Sequence, residues 1–193
     1  MGKKIHIEAV RRFAKSTPVF TARDVEALVK ERRYALLMLH NMVKSGELRR
    51  VARGHYTVQD DPVVSVFALR PSYIGLQDAL SVRGLWEQET NVVIVTAGKA
   101  KPGVRMVMGS PVVVHRIDPR YFFGFDYERY QDRFYVPVSD LEKTLIDLVY
   151  FGETPGKATL RELARRADRK VLAGYLGTYA EAFVNRFRKE VLD

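Results

Sequence analysis

Between residues 5 and 58 the apolar side chains keep helical spacing three times over and then switch to alternation about a single glycine. Each stripe needs a partner to leave water, so a chain patterned this way must pack three short helices together and close them with a hairpin. Ile5, Ala9, Val10 and Phe13 make the first stripe, with Lys4, Arg11, Arg12 and Lys15 opposite, and the run ends near Ser16-Thr17-Pro18. Thr21, with Asp24 three residues on, reads as a capping-box start for a second helix striped by Val25, Leu28 and Val29. After Lys30-Glu31 a third run turns Ala35, Leu39 and Met42 inward, flanked by Leu36, Met38 and Val43. It stops at Ser45-Gly46, where glycine suits a left-handed cap. Residues 47–51 and 55–58 alternate like strands joined at Ala52-Arg53-Gly54.

Three helices and a hairpin in that order predict a winged helix-turn-helix. Charge sharpens the reading. The 193 residues carry a formal net charge of +9, and residues 1–60 hold 13 Lys and Arg against 6 Asp and Glu, while residues 61–193 hold 19 against 17. Nearly all the excess sits on the first sixty residues, split from the rest at the turn Gln59-Asp60-Asp61-Pro62, as for a small polyanion-binding domain joined to a near-neutral one. In such a motif the third helix enters the major groove and the hairpin lies along the backbone. Off the core stripe of that helix stand Arg32, Arg33, Tyr34, Leu37, His40, Asn41 and Lys44. Arg can fork onto guanine, Asn can pair with adenine, and Lys or Tyr can hold phosphates. Arg49, Arg50 and Arg53 would supply the wing. The expected partner is double-stranded DNA, bound at inverted repeats by two copies of the chain.

The whole chain is expected to be α+β, with the winged helix over 1–60 followed by a small mixed α/β domain over 61–193. The spacing predicts a helix from Tyr73 to Leu85, closed at Gly84, then strands over 91–97, 104–108, 112–117 and 134–138. Gly98 to Gly103 reads as a basic hairpin tip. Ser139, with Glu142 three residues on, reads as a capping box for an aliphatic helix. Helices over 158–167 and from about 169 to 191 form a C-terminal tail.

Three segments carry a likeness: PSYIGLQDALSVRGL (71–85), HRIDPRYFFGF (115–125) and VSDLEKTLIDLVYF (138–151). In order and spacing they resemble the C-terminal domain of AbiEi-type antitoxins, and the N-terminal winged helix resembles theirs. Residues 158–193 have no counterpart in the likeness. The resemblance implies an antitoxin of the AbiE type IV toxin-antitoxin and phage-defence system that represses its own promoter. It implies a pairing with a nucleotidyltransferase-like toxin without a stable complex. Tyr73, Ser139, Glu142 and Lys143 are the residues that match the motifs.

Little in the sequence speaks for catalysis. There is no cysteine, and His6, His40, His55 and His115 form no ligand pair, so no metal site or cofactor is expected. A DNA-processing nuclease is the alternative from the enzyme class, but Asp140, Glu142 and Asp147 read as acids at a helix start and on its surface. A third alternative is a ligand-responsive regulator whose pocket Tyr121, Phe122, Phe123, Phe125, Tyr127 and Tyr130 would line, although aromatics at this density more often form core. Arg165, Arg166, Arg169 and Lys170 read as a solvated helix end or a second phosphate contact. With no apolar run of membrane length and no signal segment, the cytoplasm is the expected compartment.

Overall fold

The computed structural model describes residues 2–88 and 90–192, and side chains from residue 6 onward, so the expected placements of Lys4 and Ile5 lie outside the described residues. The protein is mixed α/β with two sheets and divides into two compact units: Met1–Leu69 with Arg105–Pro111, and Arg70–Val104 with Val112–Asp193.

The first unit opens with helix α1 (Gly2–Ser16), a two-residue strand β1 (Phe20–Thr21), and helices α2 (Ala22–Val29) and α3 (Arg32–Lys44). A hairpin of β2 (Arg49–Ala52) and β3 (His55–Thr57) follows, and the three strands pair antiparallel in the order β1-β3-β2. The local devices read from the sequence are present. Thr21 Oγ1 accepts from the Asp24 amide while the Asp24 carboxylate accepts from the Thr21 amide, a complete capping box for α2. Gly46, at φ 77°, turns the chain after α3, and the Leu48 amide returns to the Met42 carbonyl at 3.1 Å. Val10, Phe20, Val25, Ala35, Leu39 and Leu48 form the centre of one apolar cluster. A short helix, α4 (Ser65–Ala68), follows the hairpin.

The other six strands are β4 (Ser72–Ile74), β5 (Val92–Thr96), β6 (Gly103–Val107), β7 (Ser110–Arg116), β8 (Phe125–Tyr130) and β9 (Phe134–Ser139), all within the second unit except residues 105–111 of β6 and β7, which group with the first. They form a mixed sheet in the order β6-β7-β5-β4-β9-β8. β5 runs parallel to β7 and β4 parallel to β9, while β4 with β5 and β8 with β9 are antiparallel. The helices are α5 (Leu76–Val82), α6 (Leu141–Phe151), α7 (Lys157–Arg166), α8 (Arg169–Leu176) and α9 (Glu181–Phe187), with a π-helical turn to Leu192. One core gathers Tyr73, Leu80, Val95, Leu145, Leu172 and Phe187, which lie on strands and helices far apart in sequence.

Four expectations are corrected. Tyr73 lies on β4 and not in the helix, which starts only at Leu76. Gly75 forces the change, since its amide bonds to the Val93 carbonyl at 3.0 Å and a Cβ there would sit 2.7 Å from Val95 Cγ2. The segment 98–103 is not a hairpin tip, because β5 and β6 are not neighbours and β7 pairs between them. The α6 cap is Asp140, whose carboxylate accepts from the Lys143 amide at 2.7 Å. Ser139 stays in β9, where its hydroxyl meets Thr144 Oγ1 at 2.7 Å. Finally, the single helical run expected from about 169 to 191 breaks after Leu176 into two helices, and Leu160, Leu163, Leu172, Leu176 and Phe187 of residues 158–193 are part of the core.

Two glycines give opposite expectations. Gly75→Ala is expected to destabilise by about 1–3 kcal/mol through overpacking against Val95. Gly174→Ala, inside α8 with nothing within 4 Å of its Cβ position, is expected to stabilise by about 0.5–1 kcal/mol. Urea unfolding of both variants by circular dichroism checks the pair.

Candidate functional site

On α3 the buried residues are Ala35, Met38, Leu39 and Met42, which turn one side of the helix inward. Helical geometry then gathers Arg33, Leu37, His40 and Lys44 into one exposed stripe, with Leu36 and Asn41 on its flanks. Leu36 and Leu37 are 45% and 57% exposed, unusual for two leucines on a helix that already buries four side chains. Arg32 stands at the helix start, 3.7 Å from the Glu26 carboxylate. Tyr34 is half-buried, its ring edge-on to His6 at 6.1 Å, so it belongs partly to the packing.

Arg49, Arg50 and Arg53 are all exposed, the first two on edge strand β2 and the third in the hairpin turn. Successive strand residues turn to opposite faces, so Arg49 and Arg50 divide between the two sides of the ribbon. Arg53 fixes the turn through its carbonyl, 3.1 Å from His55 Nδ1. The hairpin is tied to α1 at its base, where the Arg11 guanidinium forks onto both oxygens of Glu47 at 2.8 and 3.2 Å. Of the eight residues proposed for a nucleic acid, Arg33, Asn41 and Lys44 share one surface of α3, and Arg49, Arg50 and Arg53 lie on the hairpin.

In the second unit the motif residues converge indoors. Lys143 and Asp147, one turn apart on α6, are fully buried and ion-paired. The Tyr73 hydroxyl donates to the other Asp147 oxygen at 2.6 Å, and Lys143 Nζ donates to the Tyr179 hydroxyl at 3.3 Å. The ammonium also lies 5.4 Å from the centre of the Phe123 ring and 5.8 Å from that of Tyr73. Gly124, at φ 70°, lets its loop close on this cluster, since a Cβ would sit 2.8 Å from Lys143 Cβ. Burial pushes the Lys143 ammonium down and the Asp147 carboxyl up from their ordinary values, and the attraction between them opposes both shifts. Around this pair, the Tyr175 hydroxyl donates to Asp140 at 2.7 Å, and the Glu142 carboxylate accepts from the Asp168 amide at 2.6 Å.

Glu142 and Asp147 are therefore interior groups, a correction to their reading as surface acids, and the reason is that tertiary partners 26 and 74 residues away take up their oxygens. Neither has the access that a nuclease centre needs. Among the described residues no three His, Cys, Asp or Glu side chains gather as a metal ligand set. Tyr121, Phe122, Phe123 and Phe125 pack on the core, and Tyr127 is exposed, so the aromatics of this segment do not line one pocket. No helix is long and apolar enough to cross a membrane among the described residues.

Removing Lys143 alone strands a buried carboxylate. Lys143→Met is expected to cost about 3–5 kcal/mol, and adding Asp147→Asn, which still accepts from Tyr73, is expected to regain part of it. Equal losses in single and double variants in urea titrations would remove the pair from its central role. Asp140 offers a pH test. Burial, the largest influence, raises its carboxyl above the ordinary 3.8, so the native state holds a proton that the unfolded chain releases. Its contribution to stability therefore falls as pH rises through the window that opens at 3.8, and Asp140→Asn, which keeps a capping oxygen, is expected to flatten that slope.

Residues 8–59 match the family model described as transcriptional regulator, AbiEi antitoxin. No curated protein matches the chain. Among solved structures the chain is similar to the RV2827C protein from Mycobacterium tuberculosis, at 15% identity and a TM-score of 0.62, over 96% of this chain and 74% of that one. At that identity the likeness concerns the fold.

Proposed function

We propose that the protein is a DNA-binding transcriptional repressor whose first unit is a winged helix-turn-helix, in a segment that matches the AbiEi antitoxin regulators. The observation that carries the reading is the outer stripe of α3. Arg33, His40 and Lys44 stand there in line with the exposed Leu37, with Leu36 on the flank, on a unit that holds most of the chain's positive excess. In the major groove Arg33 would fork onto guanine or a phosphate, Asn41 would read adenine, and Leu36 or Leu37 would meet thymine methyl groups. Arg32 and Lys44 would hold phosphates at the two ends of the helix, and Arg49, Arg50 and Arg53 would follow the backbone beside it. Tyr34 is assigned to packing as much as to a phosphate. Two copies on an inverted repeat would give each chain one half-site.

The same match supports an antitoxin role, and with it a toxin partner. We assign this to the second unit, where Tyr73, Ser139, Glu142 and Lys143 set the fold of the part that would counteract a nucleotidyltransferase-like toxin in the cytoplasm. None of the four touches solvent enough to contact a partner directly, so their effect on that activity would run through stability.

The test is fluorescence anisotropy of the full chain on duplex DNA from upstream of its own gene. If five to eight phosphates are neutralised, log affinity should fall against log salt with a slope of about −5 to −7, and Arg53→Ala should reduce that slope by about one. Asn41→Ala is expected to relax sequence preference with little change in slope. A salt-independent complex, or equal affinity for an unrelated duplex, would refute the repressor reading. Growth rescue on co-expression with the neighbouring gene product tests the antitoxin reading separately.

A further inference from the structure

The basic residues near the C-terminus find a place that the DNA reading does not use. Helices α7, α8, α9 and the terminal turn border an open cleft of about 890 Å³, within the range of small-molecule sites. Leu172, Leu176, Val184 and Val191 give it an apolar lining. Arg161, Arg165, Arg169 and Arg188 also line it, with Glu181 as its single acid. Arg165 is 3.2 Å from Glu162, but Arg169 and Arg188 have no ion-pair partner among the described residues. The Arg169 and Arg188 guanidiniums on one partly apolar cleft gain a counter-charge when an anion enters. Guanidinium forks match carboxylate and phosphate oxygens two at a time.

We propose that this cleft binds a small organic anion with an apolar body, its carboxylate or phosphate held by Arg169 and Arg188 and its body laid against Val184 and the exposed Leu192. Size argues against a nucleic acid duplex here, because a cleft of this volume takes a molecule of drug or nucleotide size. A solvated patch would need no apolar lining, and an ordinary core defect would not be ringed by cations. The two features together select an amphiphilic anion.

The probe is 8-anilinonaphthalene-1-sulfonate, an anion with an aromatic body, titrated into the full chain with fluorescence and calorimetry as readouts. One saturable site is expected. The double variant Arg169→Ala, Arg188→Ala should weaken it at least tenfold with an unchanged circular dichroism spectrum. Ala173→Trp, placed at an exposed residue that lines the cleft, should block the site by filling it while leaving the arginines in place. Competition then separates the sources of the anion: displacement by decanoate marks an acyl chain, and displacement by adenosine monophosphate marks a nucleotide. Absence of saturable binding, indifference to both variants, or displacement by inorganic phosphate as readily as by either organic anion would overturn the proposal. These outcomes are independent of whether the first unit binds DNA.

Discussion

Everything in the second unit is arranged around the buried pair Lys143 and Asp147. Taking two such charges out of water costs several kcal/mol per ion, and their attraction offsets this only if the remaining donors and acceptors are also met. Tyr73 meets the second oxygen of Asp147, and Tyr179 meets the ammonium. Those two tyrosines arrive from β4 and from the turn before α9, so the pair cannot be satisfied until strand, helix and C-terminal segment are all in place. Gly124 is the steric condition for the same closure, because only a residue without a Cβ lets the Phe123-Gly124-Phe125 loop approach Lys143 so closely. The three sequence motifs are thus one object: each supplies part of a single interior network.

That network explains why the first unit was legible and the second only in outline. In the first unit the outer face of α3 is the complement of its core stripe, so helical periodicity that finds Ala35, Leu39 and Met42 also finds Arg33, Asn41 and Lys44. Thr21 with Asp24, and Gly46, are local devices whose partners lie within four residues. In the second unit the deciding partners are distant. Ser139 and Asp140 both offered a cap, and the capping-box rule favoured Ser139 because Glu142 follows at the right spacing. The sheet decided otherwise: β9 runs through Ser139, whose hydroxyl bonds indoors, and the cap passes to the next residue. Tyr73 was drawn into a helix by apolar spacing that a three-residue buried strand satisfies equally well.

The acids on α6 were misplaced for a related reason. A Glu or Asp among leucines is ordinarily solvated, and a single sequence gives no sign of an amide 26 residues away or a tyrosine 74 residues away waiting for its oxygens. What the sequence could have offered is the i to i+4 spacing of Lys143 and Asp147 on a helix with almost no polar face. A charged pair with no exposed side to occupy has to be satisfied inside.

Burial also changes what the charge arithmetic means. Residues 61–193 hold 19 basic and 17 acidic side chains, a balance that suggests a surface without much field. Among the described residues Asp78, Glu142 and Asp147 are buried, against Lys143 alone among the bases, so the acids lose three members from the surface and the bases one. Asp78 shows where such acids go, accepting from the Val93 amide at 3.0 Å. The surface of this unit is therefore more positive than its composition, and the arginines of the C-terminal cleft concentrate that excess at one place. Net charge assigned by segment carries over to the surface in the first sixty residues, because nearly all the charges described there are exposed. In the second unit it carries over less directly, because the interior has drawn unequally on the two signs.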